Sequence, residues 1–112
     1  MSYAKYSDLK DKRPTVVEDP ALCPTLKTIE EKHQHLNRNS KLCVVDIFAD
    51  WCGPCKQIAP RFAELSQKYS GQCGFAKENV DAKLSSGIQG VPTFIFYRNG
   101  QQIQSDHRAA IV

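Results

Sequence analysis

Long apolar runs are missing from this 112-residue chain. None approaches the roughly 20 residues needed to span a bilayer, so no membrane role is expected. The N-terminus, MSYAKYSDLKDKRPTVVEDP, has no apolar core of the secretory kind, which makes a cytoplasmic location the expectation. A strong charge of one sign is missing too. The formal net charge is only +3, and basic residues are mixed with acidic ones, as in Lys10-Asp11-Lys12-Arg13 and Glu30-Glu31-Lys32. No stripe of arginines alternates with aromatics, so nucleic acid is not an expected partner and these charges read as a solvated face. Repeats and low-complexity tracts are also absent. Five cysteines are too few, too uneven and odd in number for a secreted disulfide scaffold. One functional pair and three small buried residues fit the count better, because free cysteine packs well in a core.

What is present fits one domain by length. Residues 1–13 read as a polar arm, disordered or a short helix with Tyr3, Tyr6 and Leu9 on one face, ahead of a domain over 14–112. Thr15-Val16-Val17 reads as a short strand. The spacing Leu26, Ile29, His33, Leu36 predicts an amphipathic helix from about Thr25 to Asn37, with Pro24 in its first turn. Leu42 to Ala49 (LCVVDIFA) is nearly all apolar, as in a strand covered on both faces. A second helix is predicted from Pro54 to about Tyr69, with Pro60 inside it. Cys73 to Lys77 and Phe94 to Tyr97 read as strands, and Asn99-Gly100 as the hairpin turn into a short fifth strand, Gln101 to Gln104. The order predicts an α/β fold with a mixed sheet between helices.

Trp51-Cys52-Gly53-Pro54-Cys55 stands where the apolar strand gives way to the second helix. Two cysteines at this spacing can contribute to a zinc site or exchange electrons as a dithiol and disulfide. A zinc site needs two further ligands, and His33, His35 and His107 have no matching spacing. At a helix N-terminus, unpaired N–H groups and the helix dipole stabilise a Cys52 thiolate. Cys55, one turn on, can then resolve a mixed disulfide by internal attack. Pro54 stiffens the loop and Gly53 leaves room for a large partner. Asp46 interrupts the apolar run before the pair; buried, it could hold a proton near neutrality and take one from Cys55. At a sheet edge it would be an ordinary solvated carboxylate. Pro92, in Val91-Pro92-Thr93, either opens a strand without consequence or forms a cis bond that brings backbone close to the cysteines.

Together these residues resemble the thioredoxin family. WCGPC at 51–55 is similar to that family's active-site sequence, and VVDIFADWCGPCKQIAPRF (44–62) and GVPTFIFYRNG (90–100) extend the match, which covers roughly residues 15 to 104. The resemblance implies a three-layer thioredoxin-like α/β fold and a protein disulfide reductase serving cell redox homeostasis. It implies Cys52 as the attacking and Cys55 as the resolving sulfur, a buried Asp46 paired with Lys77, and Pro60 at a helix kink. It also implies a substrate surface formed by Trp51, Gly53, Pro54, Val91 and a cis Pro92. The implied partners are disulfide-containing protein substrates and an NADPH-dependent thioredoxin reductase, with no bound cofactor. Gly-Pro between the cysteines resembles the reducing branch; a disulfide oxidase or isomerase is the disfavoured alternative.

Two stretches depart from the family. Only AKLSSGIQGV separates Asp81 from Pro92, so the third helix is expected to shrink to a turn, over Ala82 to Ser86, or to a loop. QSDHRAAIV follows the hairpin where the family has a C-terminal helix, so that helix is expected to be missing or truncated. Apolar sheet surface would then lie open. Residues 1–13 or a second subunit, as a homodimer, would cover it. An exposed face also keeps open a binding or chaperone-like role. Cys73 reads as a strand residue or an accessory thiol.

Overall fold

The computed structural model describes residues 17–106. Five strands and two helices follow one another: β1 (Thr25–Leu26), α1 (Ile29–Arg38), β2 (Cys43–Phe48), α2 (Gly53–Lys68), β3 (Gly74–Asn79), β4 (Thr93–Arg98) and β5 (Gln101–Asp106). A single 3-10 turn, Val80–Ala82, follows β3. The sheet order is β1-β3-β2-β4-β5, with β1, β3 and β2 parallel, β4 antiparallel to β2 and β5 antiparallel to β4. This is the expected mixed α/β sheet. The expected arm over 1–13, and all but the last residue of the strand expected at Thr15–Val17, lie outside the described residues. Val17 itself is not in a strand.

Central β2 is buried on both faces, as its apolar run predicts, and its alternation sets two cores. Cys43, Val45 and Ile47 join Leu36 of α1, Ala76, Ile95 and Tyr97 on one face. Val44 joins Ile58 and Phe62 of α2, Phe75 and Phe94 on the other. Burying a side chain such as Ile58 or Phe62 contributes about 1.5–3 kcal/mol, enough to fix α2 on its face.

The first helix starts later than its periodicity predicts. Thr25 and Leu26 pair with Lys77 and Glu78 as a short parallel edge strand, and the Pro24 carbonyl accepts from Lys77 N at 2.8 Å, so Pro24 is not in a helix. Thr28 then caps α1, its Oγ1 accepting from Glu31 N at 3.1 Å. The buried face changes accordingly. Ile29 and His33 are exposed, whereas Lys32, His35 and Leu36 are buried.

The linker after β3 also differs. Its helical turn sits at Val80–Ala82 and not at Ala82 to Ser86, because Asn79 Oδ1 caps Asp81 N at 2.9 Å and left-handed Lys83 (φ 56°) ends it. The hairpin is as expected, with Asn99 (φ 54°) and Gly100 (φ 77°) both left-handed, as a two-residue turn of this type requires. Its second strand runs two residues past Gln104, and a register shift lies between Phe96 and Tyr97. Residues 107–112 lie outside the described set. Among the described residues, an apolar groove of about 540 Å³ stays open beside α2, lined by Val44, Ile58, Phe62, Phe75, Phe94 and Phe96. No helix of the described residues is long and apolar enough to cross a membrane.

Candidate active site

Cys52 is the N-cap of α2 and is joined to Cys55 by a disulfide, with Cα atoms 5.3 Å apart. The cap is made by the sulfur: Cys55 N donates to Cys52 Sγ at 3.1 Å. A helix N-terminus has free N–H groups, so this geometry stabilises negative charge on Cys52 once the pair is reduced. Pro54 falls in the first turn, where its missing N–H costs nothing, and Pro60 lies inside the helix. Both sulfur-bearing residues are buried, packed with Ala49, Phe48, Val80 and Val91. Trp51, 74% exposed, and exposed Gly53 and Pro54 form the outer rim.

The long linker closes the other side. The Val91–Pro92 peptide is cis, and the Val91 carbonyl oxygen lies 3.6 Å from Cys52 Sγ. Thr93 Oγ1 donates to the Gly90 carbonyl, and Asn79 Nδ2 donates to Asp50 Oδ2 at 3.4 Å beside Trp51. Cys52, Cys55, Trp51, Gly53, Pro54, Val91 and Pro92, predicted from separate stretches of sequence, therefore meet at one end of the sheet.

Asp46 is 1% exposed, and neither carboxylate oxygen has a hydrogen-bond partner among the described residues. It lies on the α2 face of β2, two residues beyond Val44, which packs against Ile58 of the helix that carries Cys55. Desolvation pushes its pKa up from 3.8 to about 6, and the charge of Lys77 opposes the rise. Asp46 and Lys77 are partners in the β2–β3 register. The expected pairing is nonetheless not a direct ion pair. The Lys77 ammonium lies 3.6 Å from Glu18 and 4.9 Å from the Phe48 ring centre. Half-buried Lys77 reaches for solvent and a surface carboxylate, leaving Asp46 with Coulombic relief only.

Desolvation favours the thiol form of the other three cysteines. Burial pushes Cys23 and Cys43 up to about 12 and raises the half-buried Cys73, which lies just before β3 and not in it as the strand reading expected. One charged cluster escapes sequence reasoning. Lys32, from the run assigned to a solvated face, is buried 3.0 Å from buried Glu78. Only the apolar residues on either side of Glu78 in space, which the sequence does not order, could have signalled it.

Residues 24–110 match the thioredoxin family. A thioredoxin-like protein of Fusarium culmorum is 42% identical over 90 residues, 75% of this chain and 74% of that protein. The reduced thioredoxin pre-protein of Schistosoma mansoni superimposes with a TM-score of 0.68 at 41% identity, covering 78% of this chain and 86% of its own. A chain from the complex of ferredoxin:thioredoxin reductase with thioredoxin f2 superimposes with a TM-score of 0.67 at 30% identity, over 76% of this chain and 81% of its own. Longer proteins share the stretch as well, the match spanning only 22% of one relative and 15% of another. This chain belongs to the thioredoxin family, and its Cys52–Cys55 disulfide is the redox-active centre.

Proposed function

We propose that the protein reduces disulfides in other proteins. One observation carries the attacking sulfur and the substrate class: the helix-capping Cys52 sulfur lies 3.6 Å from the carbonyl of Val91, a linker residue outside the sheet ladder whose backbone suits an extended peptide. In the reduced protein the Cys52 thiolate attacks one sulfur of a substrate disulfide. A Cys52–substrate disulfide forms and the first substrate thiolate leaves. Cys55, giving its proton to ionised Asp46, then attacks Cys52 Sγ and expels the second substrate thiolate. The Cys52–Cys55 disulfide that results holds the oxidising equivalent. A flavoprotein reductase drawing on NADPH returns two electrons to it.

Trp51, Gly53 and Pro54 supply one wall for the substrate and Val91-Pro92 the other. Asp46 suits the proton role because burial sets its pKa near the working range and no direct ion pair pins its charge. The test is reduction of insulin coupled to NADPH oxidation with a thioredoxin reductase, with wild-type protein and Cys52→Ser. Equal rates for the two would overturn this function. The open groove beside α2 supports a second role for that face, association with another copy of the chain. Sedimentation velocity that stays monomeric over a wide concentration range would exclude it.

A further inference from the structure

Lys32 is the one buried ammonium among the described residues, and its surroundings reach from one core to the active site. Its Nζ lies 3.0 Å from Glu78 Oε1 and donates to Ser85 Oγ at 2.7 Å and to the Leu84 carbonyl at 3.3 Å. The Tyr97 ring covers it at 5.5 Å. Of the three oxygens around this ammonium, Ser85 Oγ and the Leu84 carbonyl accept its hydrogen bonds, while Glu78 Oε1 pairs with its charge and has no hydrogen-bond partner among the described residues. Two of the three belong to the linker between the 3-10 turn and β4.

That linker needs fixing. After Lys83 it has no helix or strand, and Gly87 is left-handed at φ 73°. Leu84, Ile88 and Val91 only half bury themselves against the α1-side core. Yet its last residues carry the Val91 carbonyl to Cys52. Glu78 meanwhile precedes Asn79, which reaches Asp50 on the opposite rim. A buried ion pair adds little stability compared with well-packed apolar side chains of the same volume, so stability alone does not explain charges in this core.

We propose that Lys32 is a positioning residue for disulfide exchange: through Ser85 and Leu84 it holds the linker so that Val91 stands ready beside Cys52 for a substrate chain. This rests on Val91 being the docking edge of the proposed reductase. Lys32 touches no reacting atom. Its effect belongs to the recognition of extended protein substrates and not to the chemistry of the sulfurs.

The test compares wild type with Lys32→Met/Glu78→Leu and with Ser85→Ala, measuring thermal unfolding and steady-state reduction of insulin and of hydroxyethyl disulfide. The double change removes both charges, leaving none buried alone, and is expected to unfold near the wild-type temperature. Its KM for insulin is expected to rise about tenfold with kcat little changed, since small misplacements of docking groups cost that much or more. Ser85→Ala, losing one hydrogen bond, is expected to raise KM about threefold. Neither change should alter the rate with hydroxyethyl disulfide, which is too small to use the Val91 edge. A wild-type KM for insulin in either folded variant overturns the proposal, and Ser85→Ala decides alone should the double variant not fold. A wild-type protein that reduces hydroxyethyl disulfide but not insulin would overturn the docking function itself.

Discussion

The Cys52 sulfur and the Val91 carbonyl oxygen, 39 positions apart in the chain, lie 3.6 Å from each other at one end of the sheet. One belongs to the cap of α2 and the other to the linker into β4. Their approach sets the backbone of that linker against the redox-active disulfide.

The two cysteines should separate by role. Cys52→Ser should lose essentially all insulin reduction. Cys55→Ser should keep a competent attacker without a resolver and accumulate a mixed disulfide with the substrate. Intact-mass spectrometry after mixing with oxidised insulin reads this directly. Equal trapping by both variants would refute the assignment.

Asp46 should cost stability where it is ionised. Its folded pKa, raised to about 6 from 3.8, means that the native state binds more protons than the unfolded chain between those values. Stability therefore falls as pH rises through that window and stays lower above it, by about 3 kcal/mol in all. Asp46→Asn should be more stable than wild type by roughly 2–3 kcal/mol at pH 8 and nearly equal to it at pH 3.5. Urea melts at the two pH values check the sign. The same variant should slow insulin reduction, because it removes the proposed acceptor for the Cys55 proton.

Gly74 should not tolerate a side chain. A Cβ there would fall within the Asn39 side chain, whose Nδ2 donates to the His35 carbonyl at 2.8 Å at the end of α1. Gly74→Ala is expected to destabilise by about 1–3 kcal/mol, the usual cost of overpacking. Adding Asn39→Gly, which also removes the Asn39 Cβ 2.5 Å from the new methyl, should recover part of that loss in denaturant melts. An unchanged midpoint in the single variant would show that Asn39 moves aside freely.

Trp51 should matter to substrates more than to the fold. Its ring is 74% exposed, so Trp51→Ala should change stability by less than about 1 kcal/mol. Insulin reduction should slow while reaction with hydroxyethyl disulfide holds. A large drop in melting temperature would assign the ring a packing role instead.

Local chemistry was legible where it depends on neighbours in sequence. The run Cys43–Phe48 is a strand buried on both faces, Asn99-Gly100 is the hairpin turn, and Cys52-Gly53-Pro54-Cys55 opens a helix. Thr25-Leu26 was not legible, because two residues become a strand only through the parallel edge of β3. The place of the 3-10 turn hung on the Asn79 side chain, a cap that competes with the apolar spacing of the linker.

The sequence by itself determined the reacting pair, the helix start that activates it and the buried strand that leads to it, because these follow from adjacent residue types and their backbone preferences. Only the tertiary structure decided which charges face which. Asp46 and Lys77 are neighbours in register without an ion pair, while Lys32 leaves its acidic neighbours on α1 to meet Glu78, Ser85 and Leu84. Such partnerships depend on which elements stack and on how far each group can reach water. Both are properties of packing, and no local pattern encodes them.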